Sequence, residues 1–481
     1  MKTGSKLVGG AAWIYGAQLS TVVIQFLYAA VTTRMVDESG FGAYTVALSA
    51  GALATLLATG GVGQSIGRML TLERSVVSAL WIFGLVLGIL SATLLWLVAP
   101  MWSTIWASPS SIAPTRLIAV GAVVAPGIGI AAALLRRQGR FRFLSLTTLA
   151  CNVAGMAIGS WVVYSNRSAA SLVVSVVVSQ WLVCVITMFA NRPFVLAHPR
   201  FRDALSEMGF SGKLTLVRLY TYFNINLGPW SVSAFLGPAL LGQWNRADVV
   251  STIPMQQAQT IITQVLYPEF RHDRHSSQRS RKMWPDLFAF VAWIAAVLSV
   301  SIVFVVPQLM FFLFGAGWDV AEGFVPYLAF AAGFTMIAAI ISAAVESLGH
   351  FRWIWGAQLV HTICVIPGVW LGVIMESVIP ILAAAIIVAV SKILWYLVLL
   401  SRAGVIDAKY VKYHAVRLLA GASFLWLTVA SFEKVISVWL DGGVWAGWLL
   451  AAMSVTALFV VAITWRSWEP VAIAKRYGLM A

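Results

Sequence analysis

Long apolar runs of about 20 residues fill this chain, separated by short polar stretches, and the runs show no alternation of apolar and polar positions. A helix crosses the hydrocarbon core of a bilayer with about 20 apolar residues, whereas a membrane β-strand alternates with a period of two. Lipid offers no partner to backbone N–H and C=O groups, which favours helices further. The pattern predicts an all-α membrane protein with about 14 transmembrane helices: 8–33, 42–66, 78–100, 114–135, 143–164, 169–190, 211–236, 240–266, 286–313, 324–346, 353–375, 378–401, 414–432 and 443–465.

The composition leads to the same class of protein. Hydrophobic residues make up 60% of the 481 residues and charged residues 10%, and the mean hydropathy is +0.88. A water-soluble domain carries roughly 25% charged residues, so this chain has too few to cover a surface that faces water. The three cysteines lie inside apolar runs without the spacing of metal ligands, so we expect no disulfide framework and no metal site. We also expect no cofactor.

The charged residues are distributed unevenly between the predicted loops. With the N-terminus in the cytoplasm, 25 of the 32 Lys and Arg residues fall on the cytoplasmic side, four on the opposite side and three within helices. This bias predicts a multi-pass protein of the bacterial inner membrane with both termini in the cytoplasm. It also accounts for the net charge of +15 without nucleic acid as a partner. The basic cluster 271–282 is either a topology determinant or a site for anionic lipid or an acidic partner.

Two weak similarities between distant stretches of the sequence indicate an internal repeat. Gly42 after the first helix corresponds to Gly242 after the seventh, and the stretch 139–143 (GRFRF) corresponds to 349–353 (GHFRW). Six helices separate the members of each pair, so the two repeats are parallel and related by an axis along the membrane normal. Two such lobes can rock about a central cleft. We therefore predict an N-terminal lobe, a cytoplasmic linker, a C-terminal lobe and a two-helix extension with a cytoplasmic tail: 1–190, 191–210, 211–401 and 402–481.

Short motifs at the ends of the predicted helices carry a family resemblance. They are 33–35 (TRM) with 40–44 (GFGAY), 61–66 (GVGQSI), and the stretch from 235–247 to 267–270 (YPEF). The chain resembles the polysaccharide and O-antigen flippases of the multidrug/oligosaccharidyl-lipid/polysaccharide exporter superfamily. The resemblance implies an inner-membrane flippase that moves undecaprenyl-diphosphate-linked oligosaccharide outward for capsule, exopolysaccharide or O-antigen synthesis. It implies as partners this lipid-linked oligosaccharide, membrane lipid, and a polysaccharide polymerase with other assembly proteins.

Three basic residues lie within predicted helices, where ionisable groups are costly and usually face a cavity or a partner: Arg218, Arg246 and Lys392. One interpretation is that they attract the diphosphate and acidic sugars of a lipid-linked substrate, since a guanidinium pairs with two phosphate oxygens at once. Alternatively, Arg218 reaches to the headgroups and Arg246 has a structural partner such as Asp248. Arg34, in the first periplasmic turn, is added to the candidate substrate-binding residues.

Polar uncharged residues are concentrated in the seventh and eighth predicted helices. Gln257 and Gln264 share one helix face, and amides of this kind hydrogen-bond either sugar hydroxyls or neighbouring helices. Asn224 and Asn226 stand where the family resemblance leads us to expect an acidic residue, which argues against cation coupling at that position. Gly228-Pro229 is expected to kink or break the seventh helix. Gln64 completes the candidate substrate contacts.

Three further residues are candidates for proton coupling. Glu346 and Asp248 serve this role if burial keeps a carboxyl group protonated, and Glu346 equally suits a structural contact near Arg352. His361, in the eleventh predicted helix, is more often a packing residue than a proton relay.

Other functions fit the same architecture. A multidrug or lipid II-type exporter is the alternative within the same class of transporter. A membrane-embedded polymerase or ligase needs a periplasmic loop with catalytic groups, but the longest such stretch, 101–114, has no charged residue, His or Cys. A structural scaffold is disfavoured by the intramembrane charges. We therefore expect a protein without enzymatic activity.

Overall fold

The computed structural model describes residues 2–60, 62–69, 72–273, 277–315 and 317–439. These residues form sixteen α-helices, with a 3-10 turn at Pro109–Ser111 and a π-helical turn at Val232–Leu236. The helices are α1 (Lys2–Thr33), α2 (Glu38–Thr59), α3 (Val62–Arg68), α4 (Arg74–Ile105), α5 (Ile112–Ala122), α6 (Ala125–Arg137), α7 (Phe141–Asn166), α8 (Ala169–Ala190), α9 (Arg192–Val195), α10 (Phe201–Ser231), α11 (Pro238–Asp273), α12 (Ser277–Phe314), α13 (Asp319–Ser347), α14 (Phe351–Ile374), α15 (Ile379–Arg402) and α16 (Ala408–Trp439).

The predicted all-α membrane architecture is confirmed. Within the described part of the chain, ten helical segments are long and apolar enough to cross a membrane. The polar helices α10 and α11, which correspond to the seventh and eighth predicted segments, are not among the ten. The fourteenth predicted segment, 443–465, lies outside the described residues.

One predicted helix, 42–66, is interrupted near its C-terminal end. The helix α2 ends at Thr59, and Gly60 adopts a left-handed conformation with φ of +45° while its N–H donates to the Leu56 carbonyl. Glycine adopts this conformation at little cost because it has no Cβ, so it ends helices readily. The remainder of the predicted span forms the separate short helix α3.

The predicted helix 114–135 is also divided, between α5 and α6. Pro126 lies in the first turn of α6, where its missing N–H cannot continue the hydrogen bonding of α5. At the seventh span, α10 continues past Pro229 to Ser231 before the π-helical turn begins. The expected break at Gly228-Pro229 therefore falls a few residues later than predicted.

The chain divides into two compact units, Met1–Asn245 and Arg246–Ala481. The division falls within α11, and the predicted lobe boundaries at 191–210 and 401 stay predictions.

Small residues bring pairs of helices together in each unit. In the first, a Cβ on Gly155 of α7 would lie 2.0 Å from Ser179 Oγ of α8, and one on Gly159 would lie 2.6 Å from Ser175 Cβ. In the second, a Cβ on Gly368 of α14 would lie 2.2 Å from Ala384 Cβ of α15. Close backbone approach at small residues is a general means of helix association in membranes. We call these two contacts the α7/α8 seam and the α14/α15 seam.

The first turns of α2 and α11 also meet at glycines. A Cβ on Gly42 would lie 1.8 Å from the Pro238 carbonyl oxygen, and one on Gly242 would lie 2.0 Å from the Glu38 carbonyl oxygen. Both contacts lie within the first unit. These two glycines are the pair that the sequence similarity relates, so the similarity marks a real contact between the two helix starts.

Candidate substrate-binding site

A basic side chain and an imidazole meet inside the α14/α15 pair. Lys392 Nζ of α15 lies 3.1 Å from His361 Nδ1 of α14, and both residues are half-buried. Lys392 lies ten residues before the end of α15, and His361 lies ten residues after the start of α14. At ~1.5 Å per residue, each is about 15 Å along its helix from the ends at Phe351 and Arg402, so the two are at one depth.

The surroundings of this pair are apolar, with a few neutral polar groups. Cys364 Sγ and Ser391 Oγ lie 3.6 Å apart, one turn from the Lys392–His361 contact. Tyr396 donates its hydroxyl to Ser342 Oγ of α13 at 3.3 Å. The neighbouring α13 residues, 334–341 (FTMIAAII), include no ionisable side chain.

The hydrogen bond limits the charge that the pair can carry. A protonated lysine has no lone pair, so it can only donate, and the histidine Nδ1 must then be unprotonated. If the lysine is neutral, it accepts from a protonated Nδ1. The contact therefore holds at most one positive charge, which would attract an anionic group strongly in surroundings of low dielectric constant.

Arg246 and Asp248 lie near the start of α11, in the second unit. Arg246 is buried, with its guanidinium carbon 6.0 Å from the centre of the Phe314 ring. This distance is within the range of a cation–π interaction. The Asp248 main-chain carbonyl accepts a hydrogen bond from Thr252 Oγ1 at 2.7 Å. The roles proposed for both residues stay predictions.

Three other candidates lie at exposed positions. Arg34 follows the end of α1, Arg218 lies in α10, and Glu346 lies in the last turn of α13. The Glu346 carbonyl accepts the Gly349 N–H at 2.9 Å, as part of the turn that ends this helix. Arg34 and Arg218 belong to the first unit, and Glu346 belongs to the second unit together with Lys392.

The candidate amides differ in their surroundings. Asn224 is buried in α10, and Asn226, half-buried, donates from Nδ2 to the Tyr222 carbonyl at 2.9 Å. Gln257 is half-buried in α11. The side chains of Gln64 and Gln264 lie outside the described part of the chain.

An aromatic cluster beside these asparagines was not anticipated. Trp230 of α10 stacks on Trp106 with 4.8 Å between ring centres, and it meets Trp102 edge-on at 5.3 Å and Tyr222 at 5.6 Å. Ser49 of α2 joins the cluster, since its Oγ accepts from Trp230 Nε1 at 2.9 Å and its carbonyl accepts from the Tyr222 hydroxyl.

The sequence contains a signal for part of this cluster. Tyr222, Asn226 and Trp230 are four residues apart, which places them on one face of α10. Trp230 is only 2% exposed, so it is a buried packing residue. The cluster fixes the polar helix α10 against α2 and α4.

The fold and the apolar spans define a multi-pass α-helical membrane protein. The structure is similar to that of the lipid II flippase MurJ, with a TM-score of 0.69 at 12% identity over 95% of this chain and 100% of that chain. An inward-facing multidrug resistance transporter of the MATE family and MOP superfamily gives a TM-score of 0.59 at 14% identity, over 81% of this chain and 98% of that chain. At these identities the likeness establishes the fold.

The family follows from the sequence comparison. Residues 31–322, more than half of the chain, match the family described as polysaccharide biosynthesis protein. The chain belongs to this family, and the resemblance to the polysaccharide branch of the exporter superfamily is confirmed.

Two relatives illustrate the range of the family. The lipopolysaccharide biosynthesis protein WzxC of Escherichia coli (strain K12) is 21% identical over 66% of this chain and 65% of its own length. The teichuronic acid biosynthesis protein TuaB of Bacillus subtilis (strain 168) is 21% identical over 65% of each chain. The matched part of the chain thus spans about 65% of the length of these curated relatives.

Proposed function

We propose that this protein is a flippase of the bacterial inner membrane that moves undecaprenyl-diphosphate-linked oligosaccharide units to the periplasmic leaflet. The units would serve capsule, exopolysaccharide or O-antigen synthesis. Family membership supports the polysaccharide pathway, and the names of WzxC and TuaB both refer to the biosynthesis of cell-surface polymers. The transporter fold supports translocation.

The observation that carries the proposal within the chain is the Lys392–His361 contact. A single positive charge about 15 Å from the cytoplasmic end of α15 is costly in lipid unless it faces a cavity or an anion. The diphosphate of a prenyl-linked sugar is an anion of the required kind. Lys392 donates to it while His361 holds the ammonium group in place, and the prenyl chain stays in lipid.

Translocation proceeds by alternating access of the two predicted lobes. The diphosphate leaves the cytoplasmic headgroup layer and pairs with Lys392, and reorientation then exposes it to the periplasm. The polar residues of α10 and α11, including Asn226 and Gln257, offer hydrogen bonds to sugar hydroxyls. The protein performs no covalent chemistry, and a polysaccharide polymerase acts after it. Both termini lie in the cytoplasm, in keeping with the distribution of Lys and Arg.

The test is deletion of the gene in the native host, followed by localisation of the lipid-linked sugar. A flippase defect leaves complete oligosaccharide units on the cytoplasmic leaflet, and the intact gene restores export. Unpolymerised units that already face the periplasm would overturn the proposal in favour of a polymerase or ligase. Normal surface polysaccharide with sensitivity to drugs would favour a multidrug exporter, and accumulation of peptidoglycan precursor a lipid II exporter.

A further inference from the structure

The helix α16 packs against α12 along one of its faces. His414 Nε2 lies 2.9 Å from Asp286 Oδ1 of α12, and both side chains are buried. Further along, a Cβ on Gly421 would lie 2.1 Å from the Trp293 ring, and Leu425 and Val429 pack with Val300. These α16 residues follow helical spacing, so one stripe of the helix is fixed and the opposite stripe faces outward.

The outward stripe is cationic in its first three turns. Lys409, Lys412, Tyr413, Val416 and Arg417 line an open depression of about 470 Å³. Both lysines and Arg417 are exposed, and Tyr413 is 49% exposed. The Arg417 guanidinium carbon lies 4.3 Å from the centre of the Tyr413 ring, which holds that charge at the edge of the depression.

The start of α12 adds charge to the same end of the molecule. Arg281 and Lys282 are exposed, Arg281 accepts the Asp407 N–H through its carbonyl at 3.3 Å, and Lys282 Nζ lies 5.9 Å from the Tyr410 ring. Two carboxylates lie nearby: Asp286 meets His414, and Asp407 Oδ1 accepts the Lys409 main-chain N–H at 2.9 Å. The five basic side chains outnumber these two carboxylates, so the patch is cationic.

The same stripe becomes apolar beyond Arg417. Leu419, Phe424 and Leu427 are 68%, 56% and 64% exposed. The segment Ala408–Ser431 is long and apolar enough to span a membrane, so these side chains lie at the depth of the acyl chains. The basic side chains beside Tyr413 match the anionic headgroup of a phospholipid, and the lipid-facing apolar stripe beyond them matches its acyl chains.

We propose that Lys409, Lys412, Tyr413, Val416 and Arg417 form a binding site for the headgroup of an acidic phospholipid of the cytoplasmic leaflet. The lysines and Arg417 contact the phosphate, Tyr413 lies against the glycerol region, and the acyl chains follow Leu419, Phe424 and Leu427. The site is independent of the proposed transport function, because it uses none of the candidate substrate residues. Its ligand is a resident of the membrane and not the cargo.

The experiment uses the full-length protein purified in detergent. Phosphatidylglycerol and phosphatidylcholine with the same acyl chains are titrated separately, and bound lipid is counted by native mass spectrometry. The site variant combines Lys409→Gln, Lys412→Gln and Arg417→Gln. The matched control combines Arg136→Gln, Arg140→Gln and Arg352→Gln, which removes three exposed charges from other predicted cytoplasmic turns. Size-exclusion chromatography verifies that both variants are folded.

The wild type is expected to prefer phosphatidylglycerol, and the site variant to lose affinity for it by about tenfold or more, with little change in the control. Equal losses in both variants would reduce the effect to general surface charge and overturn the proposal. Equal binding of phosphatidylcholine would do the same. Two competitors separate other sources of phosphate. Full displacement of phosphatidylglycerol by inorganic diphosphate would also overturn the assignment. So would a site variant that no longer binds a polyprenyl phosphate but still binds phosphatidylglycerol.

Discussion

Gly42 and Gly242 each lie against the carbonyl oxygen of the residue four positions before the other glycine. Gly42 meets Pro238, and Gly242 meets Glu38, so the contact is reciprocal, as a local two-fold relation requires. The same offset of 200 residues relates the two glycines in the sequence. The two glycines that the sequence similarity pairs therefore also contact each other's helix starts, while the repeat of two six-helix lobes stays a prediction.

Gly42→Ala and Gly242→Ala are expected to destabilise the protein, because an added methyl group collides with main-chain atoms that cannot rotate away. Overpacking of this kind costs about 1–3 kcal/mol. The measurement is the thermal unfolding of purified protein in detergent. Gly323→Ala is the control, since a Cβ there meets no atom within 4 Å. Equal melting temperatures for all three variants would show that the helix starts are not in close contact.

Lys392→Ala is expected to lower export of surface polysaccharide by tenfold or more, since a hydrogen bond to a charged group contributes roughly 1.5–3 kcal/mol. The measurement is complementation of the deletion strain, with protein abundance in the membrane determined in parallel. Ser391→Ala, at the adjacent residue, is the control.

The partner residue gives a second reading of the same site. His361→Ala is expected to give a smaller loss than Lys392→Ala, because it leaves the charge but removes the group that positions it. Lys392→Arg is expected to retain part of the export. Full export by Lys392→Ala would reject the role proposed for this residue in diphosphate binding.

The tryptophan cluster yields a prediction about stability. Trp230→Ala is expected to cost about 3–5 kcal/mol, as large truncations of buried aromatic residues do. Trp230→Phe keeps most of the ring contacts but removes the donor to Ser49 Oγ, so a loss of about 1 kcal/mol is expected. Unfolding in detergent measures both. Trp161→Ala, at a residue 70% exposed on α7, serves as the control. A Trp230→Ala protein as stable as this control contradicts the structural role of the cluster.

The contact between Asp286 and His414 predicts how α16 is held. Asp286→Ala removes a buried acceptor and leaves an imidazole without it, at a cost of about 1–3 kcal/mol. Limited proteolysis at the start of α16 should become faster in this variant. Asp319→Ala, at the exposed start of α13, controls for removal of a carboxylate. Unchanged proteolysis would mean that apolar packing alone fixes the helix.

The sequence predicted the helical architecture well, because every segment that spans lipid must pair its backbone N–H and C=O groups internally, as a helix does. It failed where a local backbone feature decides the outcome. Gly60 ends α2 through a left-handed conformation. The Gly60-Gly61 pair was visible in the sequence, but glycine is frequent in membrane helices, so the pair alone did not settle that the helix ends there. Pro126 was visible, but membrane helices often continue through proline, so its position alone did not settle the division between α5 and α6.

The residues of the candidate site were predicted better than the contacts between them. Lys392 and His361 were both singled out, yet their pairing was not, although equal distances from the helix ends place them at one depth. Side-chain partners across helices depend on helix rotation, which nearly uniform apolar sequences do not encode. For the same reason the burial of Trp230 against α2 and α4 could not be predicted from the sequence.

The α7/α8 and α14/α15 seams have a mechanical consequence. Helices that touch at Gly155 and at Gly368 cannot rotate or slide against their partners without a steric clash. We therefore expect the two helices of each pair to move together as a rigid unit. Spin labels placed across either seam would keep a constant separation through a transport cycle. The distance within such a pair therefore provides a fixed reference, relative to which the displacement of every other helix can be measured.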